Sequence, residues 1–307
     1  MAKMNFDNIY AEPDPRAYYE TLGEFGYEIP AHSATLFGQV AGVVGTGRPA
    51  KVIDLCCSYG VNSAMLKYEV DFHEVMAHYT DPMIRAASRE ELITRDRKWL
   101  AERAYEDAPI IVGVDASAPA IDYACEAGLL DDGFAEDLEV AEPSHTLTAE
   151  LADADLISVS GGIGYITDRT IDRVLEHAER PWLAALCLRW VDFGPIVDAA
   201  SRYGLLTERL DDMTFRQRRF ADDAERNHVM ADLDALGIDP DGREDQGWHH
   251  SDFYLLRPAE DVQTAPLAEL IVPEGGVRSP GTGAGLEVTV ASGRDDLRAS
   301  ASTIAPV

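Results

Sequence analysis

Val52-Ile53-Asp54-Leu55-Cys56-Cys57-Ser58-Tyr59-Gly60-Val61-Asn62 decides how this 307-residue chain is read. It opens as an apolar strand that ends in a carboxylate. A run of small residues comes next, and after Gly60 a helical pattern starts with Val61, Ala64, Met65 and Leu66. Strand, small-residue turn and helix start together make an anion- and nucleotide-binding device. Backbone N–H groups at the turn and helix N-terminus point at the ligand, and small side chains let it come close. The plain alternative is an ordinary buried strand and turn, so the reading depends on residues further along the chain.

Val52 to Gly60 resembles the first motif of class I S-adenosylmethionine-dependent methyltransferases: apolar strand, acidic residue, apolar residue, then Gly-x-Gly-x-Gly. The resemblance implies that Asp54, Cys56, Ser58 and Gly60 serve S-adenosyl-L-methionine, with the turn wrapping its methionine part and S-adenosyl-L-homocysteine as product. The sequence departs from the motif at Cys56 and Ser58, which stand where the first two glycines usually stand. Both are small, but neither tolerates positive φ as glycine does.

Towards the C-terminus, the next strand is Ile110-Ile111-Val112-Gly113-Val114, ending at Asp115. A carboxylate at the end of a second strand matches a ribose diol in nucleotide-binding α/β folds; Ala116 lies beside it. Asp115 as a residue that merely leads into a helix is the alternative. Its distance from Gly60 exceeds the usual spacing, because residues 69–109 form a helical insertion. Asp71, Asp81-Pro82 and the Ser88-x-x-Glu91 box mark three helix starts there. The insertion's apolar Leu92, Ile93, Trp99 and Leu100 need a partner surface, either a homo-oligomer contact or the chain's own core. Asp137 and Leu138 match the place where the methyltransferase resemblance implies contacts to adenine.

Leu156 to Ser160 forms a fourth strand, running into Gly161-Gly162-Ile163-Gly164-Tyr165. Ligands of open parallel sheets sit beyond the carboxyl ends of the strands. Ser160 and Tyr165 therefore face the meeting point of methyl donor and acceptor, with Tyr165 also readable as a plain turn aromatic. Arg169 lies in the next helix, and Arg189 ends the fifth strand, Trp182 to Leu188. Leu205 to Phe220 alternates as an antiparallel pair at the sheet edge, and His250 to Leu256 is the last strand. His249-His250-x-Asp252 is not read as a metal site, because neighbours on a strand point to opposite faces. The helix from Ala221 to Leu236 carries Asn227 and His228.

The expected fold is α/β: a Rossmann-like, seven-stranded methyltransferase sheet with helices on both faces. Residues 1–49 form an N-terminal helical lid, 50–257 the cofactor-binding domain, and 258–307 a C-terminal appendage, partly mobile. In the lid, Asp14-Pro15 starts a helix. Arg16, Tyr18 and Tyr19 come next, more polar handles than packing alone needs. Substrate candidates are Tyr18, Tyr19, Tyr165, Arg169, Arg189, Asn227 and His228. Tyr165 and His228 are the catalytic candidates, His249 a further base. Arg16, Arg169 or Arg189 is expected to hold an acceptor carboxylate.

Composition narrows the partners. The formal charge of −29 opposes phosphate backbones and anionic lipid surfaces, so the expected partner is a small-molecule acceptor, with no nucleic acid and no membrane. Only Lys3, Lys51, Lys67 and Lys98 are lysines; a saline habitat and an arginine-favouring genome account for this equally. The N-terminal Met1–Asp7 stretch lacks a signal-peptide core. The four cysteines lack metal spacing and read as reduced thiols of a cytoplasmic protein. The lid, the acidic chain and the base-poor site resemble bacterial methionine S-methyltransferases. Methylation of another amino acid, or of an oxygen or nitrogen in a small natural product, stands beside that reading. An NAD-dependent oxidoreductase is the rival of another class, opposed by the Cys-Cys-Ser-Tyr-Gly turn. A non-catalytic cofactor-binding protein is a third reading.

Overall fold

The computed structural model describes residues 7–278 and 286–301. The N-terminal stretch 1–6 and Pro280, Gly281 and Gly283, which read in the sequence as breaks between C-terminal strands, lie outside these residues. Among the described residues there are ten strands: β1 (Lys51–Leu55), β2 (Ile110–Asp115), β3 (Asp132–Ala135), β4 (Leu156–Ser160), β5 (Trp182–Leu188), β6 (Leu205–Leu210), β7 (Met213–Arg219), β8 (Trp248–Pro258), β9 (Val277–Arg278) and β10 (Val288–Ala291). They form one sheet in the order β10-β6-β8-β5-β4-β1-β2-β3, with β7 on β8 and β9 on β7. β1 to β5 are parallel, while β8 is antiparallel to β5, β6 and β7. The fold is Rossmann-like and doubly wound with an antiparallel flank.

Period-2 alternation assigns the central strands' side chains to two cores. Val52, Ile111, Leu156 and Leu186 pack on one face with the N-terminal helices and the insertion. Ile53, Val112, Ile157 and Leu183 pack on the other with Leu147, Ile171 and Val197. With both faces covered, these strands read as continuous apolar runs rather than alternating ones. From β1 the chain crosses to β2 and β3 on one side, and later fills β4 and β5 on the other. The reversal between β1 and β4 opens a crevice at the carboxyl ends of the strands.

Three expectations change. β6 and β7 do not pair with each other; they run one after the other along β8, as two parts of an interrupted strand. Residues beyond 258, expected as a partly mobile appendage, add a strand and a helix to the body in their described part. Val288–Ala291 pairs with Leu210–Thr207, and the helix Arg294–Ala301 packs near the helix Gly194–Arg202. Leu267 to Val272 reads in the sequence as a short strand, but Leu267–Leu270 is helical. The insertion's Leu92, Ile93 and Leu100 are buried within the chain itself, which supplies the partner surface they need. Among the described residues no helix is long and apolar enough to cross a membrane.

Candidate functional site

The crevice deepens into a cavity of about 740 Å³. Its floor is the turn after β1. Cys56 and Ser58 adopt left-handed φ values of 57° and 51°, and Gly60 has 72°. No other non-glycine residue among those described has positive φ. The three positions are those of the motif's glycines. Holding two L-residues there costs on the order of 1–3 kcal/mol each, so the surroundings must enforce the shape. Cys56 N–H donates to Val114 O at 2.8 Å, and Ser58 N–H to Asp115 Oδ2 at 2.9 Å. Room for the Cys56 side chain comes from Gly162, where an added Cβ would lie 2.7 Å from Cys56 Sγ. Gly60 itself admits no side chain, because a Cβ would lie 2.9 Å from Leu129 Cβ.

Asp115 anchors this geometry. Its Oδ1 accepts from Ser117 N–H at 2.9 Å while Oδ2 takes Ser58 N–H. Burial raises its carboxyl above the usual range, and the two backbone donors pull it part of the way back. Each oxygen keeps a lone pair for a diol hydroxyl. Ala116, Asp137, Leu138 and Ser160 also line the cavity. Asp137 Oδ1 accepts from Glu139 N–H at 3.0 Å, which orders the loop after β3.

Asp54 sits behind this surface. It is 1% exposed, does not line the cavity, and accepts from Ser158 Oγ at 2.7 Å across β1 and β4. Burial pushes its carboxyl up to about 7, against the favourable pull of Ser158 and Asn62. Of the three acids expected to meet in one pocket, Asp115 and Asp137 face the cavity and Asp54 supports its floor.

Residues of the N-terminal 49 cover the cavity from above. Tyr10, Tyr18, Leu22, Tyr27 and Pro30 line the cavity. The Tyr59 hydroxyl shares its proton between the carbonyls of Ile9 and Glu12, at 2.9 and 2.8 Å, and so ties the N-terminal strap down. The lid helix runs from Arg16 to Glu24 with Pro15, not Asp14, at its cap. Asp14 instead clamps Arg16, whose Nη1 donates to the carbonyls of Ile84, Arg85 and Ala87 in the insertion. Tyr19 stacks on Tyr79 at 4.7 Å and stays off the cavity.

The other candidates divide in the same way. Tyr165 lines the cavity and is 49% exposed. Arg169 donates to Glu139 O outside it. Arg189 is buried against Glu244 at 2.5 Å. His228 pairs with Asp232 on the outer helix, next to exposed Asn227, and His249 is buried between Trp190 and Glu225. None of Arg169, Arg189, Asn227, His228 or His249 lines the cavity, and Arg16 does not either. The basic residue that does is Arg218, accompanied by Gln217. Sequence reasoning passed over both, because they sit mid-strand in an alternating run.

No family model matches the chain, and no curated protein does. Solved structures do. A plantazolicin methyltransferase, BpumL, with a desmethylPZN analog and SAH is 11% identical, with 82% of this chain and 93% of that chain covered at a TM-score of 0.40. Magnesium protoporphyrin IX methyltransferase from Synechocystis PCC 6803 with bound SAM is 12% identical, covering 74% and 80% at 0.36. A TehB-like SAM-dependent methyltransferase from Corynebacterium glutamicum is 16% identical, covering 71% and 86% at 0.34.

Proposed function

We propose that the chain is an S-adenosylmethionine-dependent methyltransferase acting on a small, polar, amino-acid-like acceptor. The observation that carries this reading is the left-handed Cys56–Ser58–Gly60 turn, pinned by Asp115 at the reversal point of the sheet. A chain holds two strained non-glycine residues where they shape a site. The residues fit the cofactor: Ser58 Oγ is buried in the cavity wall without a hydrogen-bond partner. Cys56, Ser58 and Gly60 would hold its methionine part, Asp115 and Ala116 its ribose, and Asp137 and Leu138 its adenine, with Ser160 beside the reacting end.

The cofactor supplies an activated methyl group on a sulfonium. The protein's part is to fix acceptor against donor and to exclude water. Tyr10, Tyr18 and Tyr27 cover the crevice for that purpose. Tyr165 is the residue of the catalytic pair within reach of an acceptor proton; His228 is not. A thioether acceptor has no proton to lose, so S-methylation of methionine is the finer reading that this lining suits. All four cysteines are free thiols, in keeping with a cytoplasmic enzyme.

Isothermal titration tests the proposal. S-adenosylhomocysteine should bind with micromolar or better affinity, while NAD should not. Tight NAD binding, or binding of neither, would refute it.

A further inference from the structure

Gln217 and Arg218 are consecutive residues of β7, yet both line the cavity. Neighbours on a regular strand point to opposite faces. The register of β7 against β8 shifts between Arg216 and Arg219, and this irregularity brings both side chains to one side. The lid holds this stretch in place from the other edge: Glu28 N–H donates to Gln217 O and Arg219 N–H to Phe25 O, both at 2.8 Å. Tyr27 of the same loop lines the cavity beside them.

The two side chains ask for complementary ligand groups. Gln217 is 3% exposed, and its Oε1 is buried with no hydrogen-bond partner. A desolvated amide oxygen left without a donor costs free energy, and the missing donor must come from what fills the cavity. Arg218 is the only cation among the described lining residues; the charged others are Asp115, Glu136, Asp137 and Glu139. Buried Glu225 pairs with the Arg218 guanidinium through Oε1 at 2.6 Å and Oε2 at 2.9 Å and balances its charge, while Nη1 also donates to Arg219 O at 2.8 Å; a ligand carboxylate would join this pair rather than meet a lone cation. The acids belong to the β2 and β3 side of the sheet, whereas Gln217 and Arg218 enter from the β8 side. One end thus suits a sugar and base, and the other an anion with a hydrogen-bond donor nearby.

We infer that Gln217 and Arg218 form the acceptor-recognition site, taking the ammonium and the carboxylate of a zwitterionic α-amino acid. The inference rests on the proposed methyltransferase reading and assigns its substrate class. The carboxylate meets the planar guanidinium, the ammonium donates to Gln217 Oε1, and the amino acid's side chain extends toward Tyr165 and Ser160.

The test uses the full chain, labelled S-adenosylmethionine and the proteinogenic L-amino acids as acceptors. The best acceptor is then compared with its N-acetyl derivative and its decarboxylated amine. Each derivative should lose about tenfold or more in kcat/KM, the scale of one lost hydrogen-bonded contact. Gln217→Met should raise KM for the free amino acid about tenfold and leave the N-acetyl derivative nearly unchanged. Arg218→Met combined with Glu225→Met, which removes both buried charges together, should abolish discrimination against the amine. S-adenosylhomocysteine titrated into each variant should bind as in the wild type. If the wild type binds S-adenosylhomocysteine but methylates no amino acid, this inference fails while the cofactor reading stands. Equal use of the free and N-acetyl forms, or an indifferent Gln217→Met, defeats it too. If S-adenosylhomocysteine does not bind, both readings fall together.

Discussion

Cys56 keeps its unfavourable φ because its neighbours leave it space, and that makes Gly162 its partner. A Cβ at Gly162 would lie 2.7 Å from Cys56 Sγ and 2.8 Å from its Cβ. Gly162→Ala should therefore push the turn out of shape and weaken S-adenosylhomocysteine binding by about tenfold or more, at a packing cost of about 1–3 kcal/mol. Adding Cys56→Gly should restore it; a double variant as weak as the single would refute the pairing. Asp54 offers a second test. Its folded carboxyl titrates at about 7, against 3.8 for the free group. A raised acid binds its proton more firmly in the folded state, so its contribution falls as pH rises from about 4 to about 7 and stays lost above that. Asp54→Asn should flatten stability across this window, on the order of a few kcal/mol, read from urea unfolding at pH 4.5 and 8. An unchanged slope would mean that Asp54 is not the group responsible.

The insertion shows what one element contributes to another. Asp96, on the helix Arg89–Ala101, is fully buried and accepts from His78 Nε2 at 2.7 Å, from the Tyr79 hydroxyl at 2.9 Å and from the Tyr123 hydroxyl. Tyr79 in turn carries Tyr19 of the lid. Asp96→Ala leaves two buried hydroxyls without an acceptor and should cost about 2–4 kcal/mol, seen as a lower urea midpoint; Asp96→Asn should cost less. A neutral alanine variant would contradict this role. Much at this scale was legible, because it is encoded locally. The helix starts at Asp71 and Asp81 and the capping box at Ser88 are in place, as are the apolar runs of β1, β2, β4 and β5. Hidden from the sequence were features fixed by distant partners. The β7 irregularity that turns Gln217 and Arg218 inward depends on β8, and Arg189 went to Glu244, 55 residues on. His228 looked chemical only because nothing in its own helix shows which way that helix faces.

Over the whole molecule, charge is the dominant long-range term. At −29 the chain repels itself, and salt screens that repulsion within a Debye length of about 10 Å at 0.1 M. The melting temperature should rise from about 0.05 to about 1 M sodium chloride, and a fall would show that attractive pairs such as Arg48–Asp155 outweigh the repulsion. The Tyr59 hydroxyl that fastens Ile9 and Glu12 carries a kinetic consequence. Between those two anchored carbonyls, Tyr10 and Ala11 line the cavity, so the fastening fixes part of the wall that a guest must pass. Under the proposed methyltransferase reading, Tyr59→Phe should speed S-adenosylhomocysteine dissociation and weaken its binding, and an unchanged off-rate would show that the fastening does not control passage.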